Sequence, residues 1–231
     1  MKILNSYQSI SNDISPQLDS LRGLSALIVL FAHANQILVA PSTMIFYSIV
    51  GLLSQGAVMV FFVLSGFLIG KSLTKSFHTK QSLDLKKFLK NRFNRIYPPF
   101  IFSFIIIGIL YLLAPFYFVT NSLDFINSNQ NIARQDFAIT LTSFISTLLF
   151  LNGFVGETIS VNGPLWSLSY EVWYYILAAL IFKSSKPLYA FLTLILFVTL
   201  SFLNKDFLVH SIIWFLGLFL CIIHNHSLFH N

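Results

Sequence analysis

The sequence has a single cysteine, Cys221, which lies within a run of apolar residues. One thiol cannot form a disulfide within the chain, and it cannot supply the paired thiolates of most structural zinc sites. We therefore predict that Cys221 packs in an apolar core.

Charge is also scarce. Only 10% of the 231 residues are charged, 56% are hydrophobic, and the mean hydropathy is +0.77. These values lie outside the usual range of water-soluble domains, so we predict an integral protein of the lipid bilayer. The net charge of +6 arises mainly from one basic stretch that membrane orientation explains, so no nucleic-acid partner is predicted.

Two further signals are missing. Residues 1–17 are polar and lack the compact apolar core and small-residue cleavage site of a secretory signal, so we expect a cytoplasmic N-terminal segment before a first helix that directs its own insertion. The chain also lacks the G-x-S-x-G turn of soluble hydrolases. Ser65, in VFFVLSGFLIG, is therefore predicted to serve helix packing and not to act as a nucleophile.

Seven apolar runs approach the length that a helix needs to cross about 30 Å of hydrocarbon. No alternating pattern typical of a β-barrel is visible, so we predict an all-α, polytopic bundle of six or seven transmembrane segments. The predicted segments are 24–40, 44–70, 98–119, 137–154, 165–182, 187–203 and 207–223.

Basic residues predict the orientation. The connection 71–95 holds eight of the 14 Lys and Arg residues, and short basic connections stay in the cytoplasm. We expect a multi-pass protein of the cell membrane with a cytoplasmic N-terminus. Asp19 is the predicted N-cap of the first helix.

The segment 137–154 conflicts with this orientation. If it crossed the membrane, Lys183 and Lys186 would lie outside, against the charge rule. The segment is short and interrupted by Thr and Ser, so we predict that it is re-entrant or lies at the interface.

Arg22 and His33 are separated by ten residues in LRGLSALIVLFAHANQI. On a helix they share one face, roughly 16 Å apart. An ionisable group within a bilayer is costly, which makes His33 a functional candidate.

Glu171, in PLWSLSYEVWYYILAALIF, is a second candidate. It could form an acid/base pair with His33, or it could face a polar cavity and only tie helices together.

Arg92 and Arg95 lie three residues apart before Tyr97. At a helical turn they would project to one side and offer a fork for phosphate oxygens. A simple positive-inside anchor is the alternative.

The C-terminal end contains three histidines, His224, His226 and His230, which could suggest a metal site. Their spacing in a polar end is a weak signal, and no metal is predicted.

Four blocks in order, LDSLRGLSALIVLFAHA, VMVFFVLSGFLIGKSL, FLKNRFNRIYPPF and NGPLWSLSYEVWYY, resemble the acyltransferase family 3 membrane proteins. The resemblance implies a membrane O-acyltransferase that moves an acyl group, often acetyl, from acyl-coenzyme A to a hydroxyl of an envelope glycan or lipid-linked sugar. It assigns 18–223 to the family's transmembrane domain and leaves 224–231 as a short tail. Because members usually have about ten spanning helices, the domain is expected to be incomplete.

The family pattern also assigns residues. Arg22 and His33 match its Arg and His motif, Arg92 and Arg95 its paired arginines, and Glu171 its acidic position. Many members carry a second Glu next to it, where this chain has Val172. The implied roles are catalysis by His33 and Glu171 and donor binding by the three arginines.

Two mechanisms are compatible with these residues: His33 as general base on the acceptor hydroxyl, or an acyl-histidine intermediate. The competing class is a non-catalytic membrane protein, such as a transporter or an inactive paralogue. In that class His33 and Glu171 would relay protons or tie helices.

Overall fold

The computed structural model describes residues 9–10, 14–36, 46–80, 83–117, 140–159, 162–183 and 186–225. Within these ranges the chain forms seven α-helices and no β-strand, apart from one isolated bridge between Asn152 and Gly156. The predicted all-α fold is confirmed. The helices are α1 (Ile14–Ala34), α2 (Tyr47–Lys80), α3 (Leu85–Tyr117), α4 (Leu141–Leu148), α5 (Leu165–Phe182), α6 (Pro187–Leu203) and α7 (Lys205–Asn225).

Four of the described helices are long and apolar enough to cross a membrane: Tyr47–Thr79 in α2, Leu85–Leu110 in α3, and the whole of α5 and α7. Helix α6 is apolar but shorter, with 17 residues that span about 25 Å. Large apolar side chains cover its outside, including Leu194 at 62% exposed and Phe202 at 88%. Such a surface is stable in lipid and not in water, so the chain is a helical membrane bundle.

The first helix differs from the prediction. Helix α1 begins at Ile14, ten residues before the predicted segment 24–40, and it is not among the four long apolar helices of the described residues. Pro16 explains the early start because a proline is well tolerated in the first helical turn. The prediction of Asp19 as N-cap is wrong: this residue lies inside the helix, with its carboxylate 4.0 Å from Arg22.

The basic stretch 71–95 also differs from the prediction. Helix α2 continues to Lys80 and α3 begins at Leu85, so the predicted connection 71–95 is mostly helical. Lys and Arg are good helix formers, and nothing in the stretch breaks a helix before residue 81. The side chain of Asp84 caps α3 by accepting a hydrogen bond of 3.0 Å from the backbone N–H of Lys87.

Helix α4 has only eight residues, about 12 Å, too short to cross the hydrocarbon as a helix. The direction of α7 relative to α2 gives further information on this segment. Along α2 and α7 the contacts advance together, from Ser65 with Trp214 to Lys71 with Asn225, so the two helices are parallel. If α3, α5 and α6 each cross once, α7 is parallel to α2 only when the connection between α3 and α5 begins and ends on the same side of the membrane. The described residues 140–154 hold no helix long enough to cross, and the re-entrant or interfacial position of 137–154 stays a prediction.

Glycines allow α2 and α7 to pack backbone to backbone. A Cβ atom on Gly66 would clash with the carbonyl oxygen of Trp214, and one on Gly217 would clash with that of Val63. Close approach of this kind is the main use of small residues between membrane helices. The packing role predicted for the stretch around Ser65 is thus confirmed at its neighbour Gly66.

Polar side chains join the ends of the same two helices. Lys71 is 5% exposed, and its Nζ donates to Asn225 Oδ1 at 2.7 Å and lies 2.7 Å from His224 Nδ1. The end of α7 is therefore packed in the bundle, which corrects the prediction that the tail starts at residue 224. Cys221 is fully buried beside Gly70, as predicted.

A loop pinned by hydrogen bonds leads into α5. The fully buried Asn152 accepts a hydrogen bond from Ser169 and donates one of 3.3 Å to the carbonyl of Leu165. Trp173 Nε1 donates to the carbonyl of Phe150 at 2.8 Å. These bonds set the rotation of α5 about its axis, and hence the direction in which Glu171 points.

Candidate active site

A cavity of about 410 Å³ lies among α1, α2, α3 and α5. Four of the five predicted site residues line it: Arg22, Arg92, Arg95 and Glu171. They come from three helices that are far apart in sequence. Three positive groups and one carboxylate give the cavity a net positive charge, which favours an anionic ligand.

Glu171 is held by two hydroxyl groups. Its Oε1 atom accepts a hydrogen bond of 2.5 Å from Ser65 Oγ and another from the hydroxyl of Tyr175. Ser65 Oγ in turn accepts from Trp214 Nε1 at 3.2 Å. Within the described part of the chain Oε2 accepts no hydrogen bond, so one carboxylate oxygen is fixed and the other is available.

Arg92 is anchored at one nitrogen only. It donates a hydrogen bond of 2.7 Å from Nη2 to Ser72 Oγ, and its guanidinium carbon lies 5.5 Å from the centre of the Phe88 ring. Its buried Nε atom has no hydrogen-bond partner among the described residues. A buried N–H without a partner is costly, and an anionic ligand would remove that cost.

The other two arginines are less constrained. Arg95 is exposed, and Arg22 is 34% exposed, with the long 4.0 Å contact to Asp19 as its only ion pair among the described residues. An exposed ion pair at that distance contributes little to stability. Both guanidinium groups therefore remain available to a ligand in the cavity.

His33 occupies a different place. It is half-buried in the last turn of α1 and is not among the residues that line the cavity. The hydrogen bonds of Glu171 to described residues go to Ser65 and Tyr175 and not to His33. The helical rise explains the separation, since eleven residues place His33 roughly 16 Å along α1 from Arg22. The pairing of His33 with Glu171 stays a prediction.

Sequence reasoning missed part of the site. Ser65 was assigned to packing, yet its hydroxyl bonds the carboxylate of Glu171. Tyr175 follows Glu171 by four residues, so helical periodicity could have placed it on the same face. No sequence signal connects Ser72 with Arg92, because that contact depends on how α2 packs against α3.

The absence of a metal at the three C-terminal histidines stays a prediction. His224 contacts Lys71 and the ring of Phe67, at 2.7 Å and 5.9 Å. His226 and His230 lie outside the described residues.

Comparison with known proteins supports the family that the four sequence blocks indicate. The family model of the acyltransferase domain of the acyltransferase 3 type matches residues 15–229, nearly the whole chain. No curated protein and no solved structure matches the chain. Since the match covers nearly the whole chain and includes all four sequence blocks, the chain belongs to the acyltransferase 3 family of membrane acyltransferases.

Proposed function

We propose that this protein is an integral-membrane O-acyltransferase. It takes an acyl group from acyl-coenzyme A and gives it to a hydroxyl of a cell-envelope carbohydrate or lipid-linked sugar. The observation that carries the proposal is the cavity in which three arginines and Glu171 converge from separate helices. Family membership supports the reaction class.

The arginines are suited to the phosphates of coenzyme A. Each guanidinium offers several N–H donors in a planar fork that matches phosphate oxygens. Arg92 and Arg95 would hold the donor, and Arg22 would neutralise further charge at the same cavity. The basic ends of α2 and α3 support a cytoplasmic location for this side of the bundle and for the N-terminus, in a protein of the cell membrane.

The transfer itself needs a base and a stabilised leaving group. The acceptor oxygen attacks the thioester carbonyl, a C–O bond forms, and the C–S bond breaks to release the coenzyme A thiolate. His33 takes the hydroxyl proton and returns it to the thiolate, while Glu171 stabilises the imidazolium. An acyl-histidine intermediate would use the same two residues, with His33 attacking the thioester first.

Replacement of His33 tests the catalytic role. In His33→Ala we expect acyl transfer to fall by about 10²- to 10⁴-fold, because the proton acceptor is lost. Membrane insertion, measured by fractionation, should not change. Turnover equal to that of the wild-type protein would exclude His33 as base and as nucleophile.

Donor binding separates an enzyme from a transporter or an inactive paralogue. We expect acetyl-coenzyme A to protect the purified protein from thermal unfolding, and the protection to be lost in the Arg92→Ala, Arg95→Ala double variant. The matched control is Lys86→Ala, Lys87→Ala, which removes two exposed charges from the same helix outside the cavity. Equal protection of both double variants, or no protection of the wild type, would favour the non-catalytic class.

A further inference from the structure

A second cavity of about 190 Å³ lies between α3 and α5. Its walls are almost entirely apolar, with Leu89, Phe93, Phe150, Val172 and Ile176 among them. It is separate from the larger cavity, but Arg92, Ile96 and Tyr175 line both. The apolar cavity thus lies beside the predicted donor site.

We propose that this apolar cavity holds the acyl chain of the donor, which makes the protein selective for short chains longer than acetyl. The inference rests on the proposed function. The volume has room for about six atoms the size of a water molecule, at roughly 30 Å³ each. We therefore expect a chain of about six carbons to fill the cavity and longer chains to gain no further contacts within it.

The residues that line both cavities indicate where the thioester would lie. Arg92, Tyr97 and Tyr175 are the polar members of the apolar cavity, and Arg92 and Tyr175 also line the larger one. A thioester carbonyl between them would lie beside the hydroxyl that bonds Glu171. The phosphates would then extend toward Arg95 and the hydrocarbon chain toward Val172.

Val172 has a particular part in this arrangement. It lines the apolar cavity, while the adjacent Glu171 lines the larger one. A carboxylate there would put a charge among apolar walls and would oppose a hydrocarbon ligand. Valine keeps the cavity apolar.

A lipid chain from the bilayer is the competing occupant, because Phe93 is 53% exposed at the wall of the cavity. The wall shared with the arginine-lined cavity favours the donor, since it brings the apolar space next to groups that would bind the coenzyme A phosphates. The two occupants differ in one measurable respect: only the donor's affinity for the protein depends on the length of its own acyl chain.

The experiment measures dissociation constants of coenzyme A and of its acetyl, butyryl, hexanoyl and octanoyl thioesters for the purified protein. We expect affinity to rise about tenfold for each two methylene groups up to hexanoyl and to stop rising at octanoyl. Val172→Phe fills part of the cavity and should remove the gain in affinity from acetyl to hexanoyl. Val198→Phe is the control, the same substitution at an exposed position of α6.

A second variant covers the case that Val172→Phe does not fold. Ile176→Ala enlarges the same cavity and should extend the gain to octanoyl. Equal affinity for all chain lengths, or a wild-type profile in Val172→Phe, would overturn the acyl-chain assignment while binding of coenzyme A preserves the proposed function. Absence of any coenzyme A binding would overturn both.

Discussion

The contact between α2 and α7 and the contact between α3 and α5 are built in opposite ways. At the first, Gly66 and Gly217 let two backbones meet, and Trp214 is fully buried. At the second, the side chains do not fill the space, and two neighbouring cavities of about 410 and 190 Å³ remain. Close packing stabilises the bundle, whereas space lined by charged groups makes chemistry possible.

Ser65 lies at the boundary between these two regions. Its neighbour Gly66 packs against α7, while its hydroxyl bonds Glu171 in the cavity. Substitutions in the first region should therefore lower stability, and substitutions in the second should lower activity. Four pairs of variants test this comparison.

The largest effect is expected for Glu171→Gln. Loss of the negative charge removes its help to the proton acceptor, so acyl transfer should fall by about 10²- to 10⁴-fold. Coenzyme A affinity, measured by thermal protection, should change little. The control is Glu157→Gln, which alters the other, exposed glutamate of the chain. Equal losses in both variants would contradict a specific role for Glu171.

Gly217→Ala is expected to lower the free energy of unfolding by about 1–3 kcal/mol, because the added methyl group pushes α7 away from α2. Thermal unfolding in detergent measures the loss. Gly108→Ala is the control, since a Cβ atom there has no other atom within 4 Å. If the two variants have the same melting temperature, the close contact between α2 and α7 does not determine stability.

Tyr175→Phe should reduce the rate of acyl transfer by about tenfold, because Glu171 loses one of the two hydroxyls that position it. Tyr174→Phe is the matched change on the adjacent residue, whose hydroxyl donates to the carbonyl of Phe207 at 2.6 Å. It should lower the melting temperature and leave the rate unchanged. The reverse pattern would place the chemistry on the other face of α5.

The smallest effect is expected for Ser72→Ala, which removes the hydroxyl that anchors Arg92. Acyl-coenzyme A affinity should weaken by about three- to tenfold, the value of one such hydrogen bond. Ser201→Ala is the control because its buried hydroxyl has no hydrogen-bond partner among the described residues. If the acyl-coenzyme A affinity changed in Ser201→Ala and not in Ser72→Ala, the hydrogen bond between Ser72 and Arg92 would have no part in donor binding.

Much of the fold was predictable because apolar run length is a local property. The predicted bounds of α5 and α6 agree with the structure to the residue. The prediction failed at α1 and in the stretch 71–95, where polar residues continue a helix beyond its apolar part. Hydropathy indicates which residues can lie in the hydrocarbon of a membrane. It does not indicate where a helix ends.

The site was predictable only in part. Four of the five assigned residues line one cavity, since charged groups in a membrane helix seldom lack a function. The hydrogen bond between Ser65 and Glu171 joins residues more than a hundred positions apart, and no local pattern signals it.

The sequence alone determined that this chain is a helical membrane protein, and its spaced Arg, His and Glu residues indicated the family. The first follows from composition, and the second from the resemblance of four sequence blocks to the family. Only the tertiary structure decided that α2 and α7 run parallel, that Glu171 bonds Ser65 and Tyr175, and that Val172 lines an apolar cavity. These features depend on how helices rotate and cross, which packing between distant segments sets.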